Sequence, residues 1–175
     1  MNNPFLGAED KRYPTVLFTL LLYLKLLVIP HPLTFDYYPY HIDLYDWDSP
    51  LVWLSLGIHL FLLYVAVSGT RKNRTVSFGV FFYFFALFPA SNILVNVGTF
   101  MNERFLFLPS VGFALVVGWY LNKAFSMAPK RASQNALQLA LAILVIVFSY
   151  KTLLRNQVWK NNLTLFLTDA QTSSA

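Results

Sequence analysis

Residues 31–48, HPLTFDYYPYHIDLYDWD, hold four Asp, four Tyr, two His and one Trp, with no Lys or Arg among them. Side chains of these types can position a hydroxyl, hold a phosphate or stack against a sugar ring. Asp36 is a candidate to orient a hydroxyl, a task that needs a carboxylate within about 3 Å of the proton it takes. His31 can contact a sugar or a phosphate, and Tyr37 and Tyr38 can stack on a sugar. Further along, Glu103 and Arg104 form a second polar pair. An arginine at an interface suits a phosphate, because its planar fork donates two hydrogen bonds and keeps its charge.

Each of these groups also has a plainer role. Pro30 and Pro32 make the start of the stretch a turn. Tyr37, Tyr38, Tyr40, Tyr45 and Trp47 suit a belt at a membrane–water boundary. Glu103 and Arg104 can simply pair or anchor a helix end. His31, Asp36, His41 and Asp43 offer donors to magnesium or manganese, but their spacing matches no ordered ligand motif, so no metal site is expected. No Gly-rich phosphate loop, Ser-His-Asp spacing or HExxH occurs, and no cofactor is expected to be covalently bound.

The elements that must position these residues are apolar. The 175 residues are 57% hydrophobic and 12% charged, with a mean hydropathy of +0.52 and 17 Phe. A soluble domain carries roughly 25% charged residues, so the composition points to a membrane. There is no cysteine, which excludes disulfides and thiolate metal sites. The N-terminal residues lack a signal-cleavage pattern, and no basic stripe supports nucleic-acid binding.

Five stretches approach the ~20 apolar residues that a spanning helix needs. They are 15–30, 51–69, 76–95, 105–125 and 136–154. Together they predict an all-α membrane protein, with a membrane domain over 1–155 and a tail over 156–175. Lys25 interrupts the first stretch and can snorkel along its stem to an interface. His59 lies within the second and is expected to bond a neighbouring helix in neutral form. Pro89 marks a kink or end in the third, and Asn92 and Asn96 flank its exit towards the same outer cavity.

Base counting orients the chain. Lys11, Arg12, Arg71, Lys72, Arg74, Lys123, Lys130 and Arg131 fall on one side, against Arg104, Lys151, Arg155 and Lys160 on the other. That places the N-terminus inside, the 31–50 loop outside and the C-terminus outside. The sequons at Asn73 and Asn162 are read as chance matches.

Three stretches carry a resemblance. NPFLGAEDKRYPTVLFTLLLYLKLLVIPHPLTFDYYPYHI, ALFPASNILVNVGTFMNERFLFLPSVGFAL and LLRNQVWKNNLTLF resemble, in this order and spacing, the membrane region of the TMTC (transmembrane and tetratricopeptide-repeat) protein O-mannosyltransferases and their bacterial relatives. NERFLFLPSVGF is the most specific part, with Phe107 where Tyr is usual.

The resemblance implies the later part of a GT-C glycosyltransferase bundle, with repeats following on the outer face. It implies a polyprenyl-phosphate sugar as donor, and transfer of a hexose such as mannose to Ser or Thr of a protein acceptor. Arg104 would hold the phosphate and the 31–48 loop would roof the sugar. The family's catalytic acid pair lies in an earlier loop that this chain does not match, so the chain is expected to be inactive alone, with 156–175 beginning a shortened repeat region. The spelling of the motifs favours a bacterial plasma membrane over an endoplasmic reticulum. The rival readings are a non-catalytic anchor or scaffold for a repeat domain, and, third, a small transporter or channel subunit.

Overall fold

The computed structural model describes residues 5, 8–31, 33, 37, 42–128, 131–161, 163–165 and 167. Those residues form five α-helices: α1 (Arg12–Val28), α2 (Pro50–Lys72), α3 (Arg74–Leu87), α4 (Phe107–Met127) and α5 (Arg131–Val158). No strand occurs among them. The protein is an all-α membrane protein. Three helical stretches, Pro50–Lys72, Glu103–Met127 and Ser133–Val158, are long and apolar enough to cross a bilayer. The fold divides into two compact units, 1–116 and 117–175. In the second, α5 runs for 28 residues, about 42 Å at helical rise.

The first unit contains the predicted site. Its core gathers Val16, Leu20, Tyr23 and Leu26 of α1 with Tyr83 and Leu87 of α3 and Phe100, Met101 and Leu106 of the segment before α4. The spacing 16, 20, 23, 26 is one face of a helix. Helices α2 and α3 form a hairpin turning at Asn73, whose N–H donates to the Gly69 carbonyl at 2.7 Å. Across the hairpin, the Ser77 hydroxyl donates to the Ala66 carbonyl at 2.6 Å. Gly79 and Gly112 let α3 and α4 cross so closely that a Cβ at Gly79 would stand 2.7 Å from the Gly112 carbonyl oxygen.

Helix α3 ends where Pro89 requires it. It gives way at Leu87 to a 3-10 turn, Phe88–Ala90, so the third apolar stretch is helical over 74–90 rather than to 95. His59 bonds the Ser55 carbonyl of its own helix at 2.7 Å, not a neighbouring one. A second bond joins α2 to α1, from the Ser55 hydroxyl to the Leu17 carbonyl.

One expectation is corrected. If α1 crossed the membrane, Lys11 and the 31–50 loop would stand on opposite sides. Instead the Lys11 ammonium lies 2.8 Å from the Asp46 carboxylate. The Tyr45 N–H donates to the Thr15 hydroxyl at 2.9 Å, and the Tyr45 and Phe18 rings stack at 3.9 Å. Arg12 donates to the carbonyl of Asn92 at 2.9 and 3.2 Å and to that of Ile93 at 3.3 Å. The starts of α1 and α2 and the end of α3 therefore meet at one end of the unit.

The physical reason is the length of the connection. The 17 residues of α1 span about 25 Å. The chain after it is long enough to run back, since extended backbone covers about 3.3 Å per residue. Lys11 and Arg12 thus lie at the same end of the unit as the 42–49 segment.

Candidate functional site

Phe18, Leu22, Lys25 and Leu26 recur at helical spacing on one side of α1. They border a cavity of about 230 Å³ together with His31, Tyr37, Ile42, Asp43 and Tyr45 of the loop and Met101. The short turn after α1 places His31, whose N–H donates to the Ile29 carbonyl at 2.8 Å. The Phe18–Tyr45 stack holds the loop against the helix. Burial first, and the Asp43 charge second, raise the pKa of the Tyr45 phenol. It therefore remains a neutral hydrogen-bond donor at physiological pH.

Tyr37 is buried, and its hydroxyl donates to Glu103 Oε1 at 3.2 Å. Two residues expected at the site, 66 positions apart, are thereby joined. Glu103 is set by the 3-10 turn Glu103–Leu106, which Asn102 caps by accepting the Arg104 N–H at 3.2 Å. The Tyr23 hydroxyl in turn accepts the Asn102 N–H at 3.0 Å, tying this turn to α1.

Arg104 is exposed and does not border the cavity. Its guanidinium lies 5.8 Å from the Phe105 ring centroid. Among the described residues it meets no carboxylate, Glu103 included. Asp36 and Tyr38 lie outside the described residues, as does His41.

The sequence reading gave no sugar or phosphate role to two charged members of the cavity. Lys25 and Asp43 both face it, yet among the described residues neither makes an ion pair. The signal for Lys25 was present as a charge inside an apolar run. Asn92 is a different case. It is buried, adopts φ 58°, donates to the Thr99 and Phe100 carbonyls at 2.8 and 3.0 Å, and accepts the Val97 N–H at 2.8 Å. Its amide holds the 92–100 segment together, and it does not border the cavity.

Aligned with known proteins, the chain is 28% identical over 167 residues to human "Protein O-mannosyl-transferase TMTC1", covering 92% of this chain and 19% of that protein. To the Caenorhabditis elegans "Protein O-mannosyl-transferase F38B6.6" it is 31% identical over 168 residues, covering 95% of this chain and 24% of the relative. A shorter match to Drosophila melanogaster "Protein O-mannosyl-transferase Tmtc2" reaches 41% over 78 residues, 45% of this chain and 8% of that protein. The chain is related to the TMTC family. The chain spans about a fifth of the length of the TMTC relatives it matches. No family model matches the sequence, and no solved structure matches the fold.

Proposed function

We propose that this chain forms part of a protein O-mannosyltransferase membrane domain, in which the cavity beside α1 receives the sugar end of a polyprenyl-phosphate donor. The observation that carries the reading is the similarity to proteins named O-mannosyl-transferases over 92–95% of the chain. In the transfer, the bond between the sugar's anomeric carbon and the phosphate oxygen breaks. A new bond forms to a Ser or Thr hydroxyl of the acceptor, and the lipid phosphate leaves with the bonding pair. The hydroxyl's proton passes to a carboxylate supplied by another part of the complete enzyme.

This chain's own groups would hold rather than cleave. Arg104, which meets no carboxylate among the described residues, suits the lipid phosphate near the membrane surface. Tyr37, fixed by Glu103, and Tyr45 offer a ring face and a hydroxyl to the sugar. The reaction would take place on the face bearing the 42–49 segment. Arg71, Lys72 and Arg74 cluster in the tight turn between α2 and α3, which favours that turn as the cytoplasmic end.

The test is a chimera. The 168 matched residues of the worm relative are replaced by this chain, and mannosylation of a Ser/Thr acceptor peptide is measured in membranes. The expected outcome is transfer that depends on the transplanted Arg104, falling at least tenfold in Arg104→Ala. A chimera that inserts in full yield and transfers no sugar would overturn the reading in favour of a structural anchor.

A further inference from the structure

We propose that Lys25 and His31 form the phosphate-binding wall of the cavity beside α1, with Asp43 contacting the hydroxyls of the attached sugar. The proposal rests on the donor reading above. Arg104, which does not border the cavity, would meet the phosphate at the membrane surface on entry, and Lys25 and His31 would hold it once the head group is seated.

Lys25 is a single exposed cation within an otherwise apolar helix, and it borders the cavity. Lys25 sits in the last turn of α1, 13 positions beyond its start. It has no ion pair there among the described residues. Asp43, the one carboxylate among the described residues that borders the same cavity, is not paired with it. A cation supplied by the helix and an anion supplied by the loop are thus held around one space without neutralising each other. Such a site fits a ligand that is itself divided, with an anionic end for Lys25 and a hydroxyl-bearing end for Asp43.

Size and lining agree. At about 230 Å³ the cavity lies below the ~300 Å³ at which ordinary small-molecule sites begin. It therefore suits a head group and not a whole lipid. Leu22 and Leu26 stand beside Lys25 on the same helix face, so an isoprenoid chain leaving the phosphate would meet apolar side chains at once. The His31 ring can donate to a phosphate oxygen in either protonation state. A plainer role for Lys25 is to complement the carbonyls at the end of α1. Arginine would fill that role as well, and it would confer no preference among ligands.

Radiolabelled farnesyl phosphate, farnesol and inorganic phosphate are compared as ligands for the full chain in phosphatidylcholine nanodiscs. Farnesyl phosphate is expected to bind at least tenfold more tightly than farnesol, and millimolar inorganic phosphate is expected not to displace it. Lys25→Ala should weaken farnesyl phosphate at least tenfold without changing farnesol, and Lys25→Arg should stay within threefold of the unaltered chain. Equal binding by the unaltered chain and Lys25→Ala would overturn the role of Lys25 while leaving the donor reading intact. Displacement by inorganic phosphate would assign the site to the free ion and overturn the lipid assignment. No binding of farnesyl phosphate to the unaltered chain would overturn both. If Lys25→Ala loses its helical circular dichroism, Lys25→Gln takes its place, and unchanged binding there overturns the proposal equally.

Discussion

The ammonium of Lys11 and the carboxylate of Asp46 lie 2.8 Å apart, although an apolar helix of 17 residues separates them in sequence. The contact determines which residues share a side of the membrane. The chain has no native cysteine, so single cysteines report without background. Asp10→Cys and Asp48→Cys should react with an impermeant maleimide from the same side. Lys72→Cys, at the far end of α2, should react only from the other. Labelling of Asp10→Cys together with Lys72→Cys would show that α1 crosses.

The same pair gives a pH dependence with a definite sign. The hydrogen bond and charge of Asp46 raise the Lys11 pKa above its ordinary value of 10.5, and Asp10 adds to the rise. A raised lysine contributes stability that is complete below its unfolded pKa and is lost as pH climbs through the folded one. Between pH 9 and 12, the 42–49 segment of the unaltered chain should become progressively easier to cleave by protease. Lys11→Met should be cleaved more readily at pH 9 and show no such added step. Because both partners are exposed, 1 M salt should reduce the difference.

Asn92 should be the most sensitive polar residue of the first unit. Its side chain serves three backbone groups, and its left-handed φ of 58° is one that Asn tolerates better than most residues. Asn92→Ala should cost about 3 kcal/mol by leaving buried groups unpaired. Asn92→Gly keeps the backbone freedom, so any loss it retains in a denaturation midpoint reports the hydrogen bonds alone. A midpoint unchanged in both variants would contradict the arrangement.

The crossing of α3 and α4 offers a paired comparison. Gly79→Ala would drive a methyl group against the Gly112 carbonyl at 2.7 Å and Val116 at 2.8 Å. Backbone cannot move aside as a side chain can, so the expected loss is about 1–3 kcal/mol. At Gly57 nothing lies within 4 Å of a new Cβ. Gly57→Ala should cost nothing, and its better helix propensity can add up to about 1 kcal/mol. Thermal unfolding in one detergent compares the two directly.

Local features were legible in the sequence because they depend on local chemistry. Apolar runs marked the helices, Pro89 marked the end of α3, and Trp47 beside the start of α2 marked a boundary. There the Trp53 indole N–H donates to the Trp47 carbonyl at 2.7 Å. The return of the loop after α1 was not legible. A run of apolar residues has the same hydropathy whether the chain after it continues across or folds back. Only the long-range contacts of Lys11, Arg12 and Thr15 distinguish the two. Glu103 and Tyr37 could each be suspected from type alone, but their meeting depends on the turn capped by Asn102. Lys25 looked like a residue reaching for an interface, and its place beside His31 follows from the position of the returning loop. Asn92 was read as a cavity residue because side-chain type does not reveal whether an amide is already saturated by its own backbone.

The fold-back after α1 also bears on how a topology is drawn. Counting apolar segments places the starts of α1 and α2 at opposite ends, because each segment is taken to carry the chain across. The contact between Lys11 and Asp46 puts them at the same end. A reporter fused ahead of Arg12 and one inserted at Asp48 should then give the same signal, where the hydropathy count assigns them opposite ones.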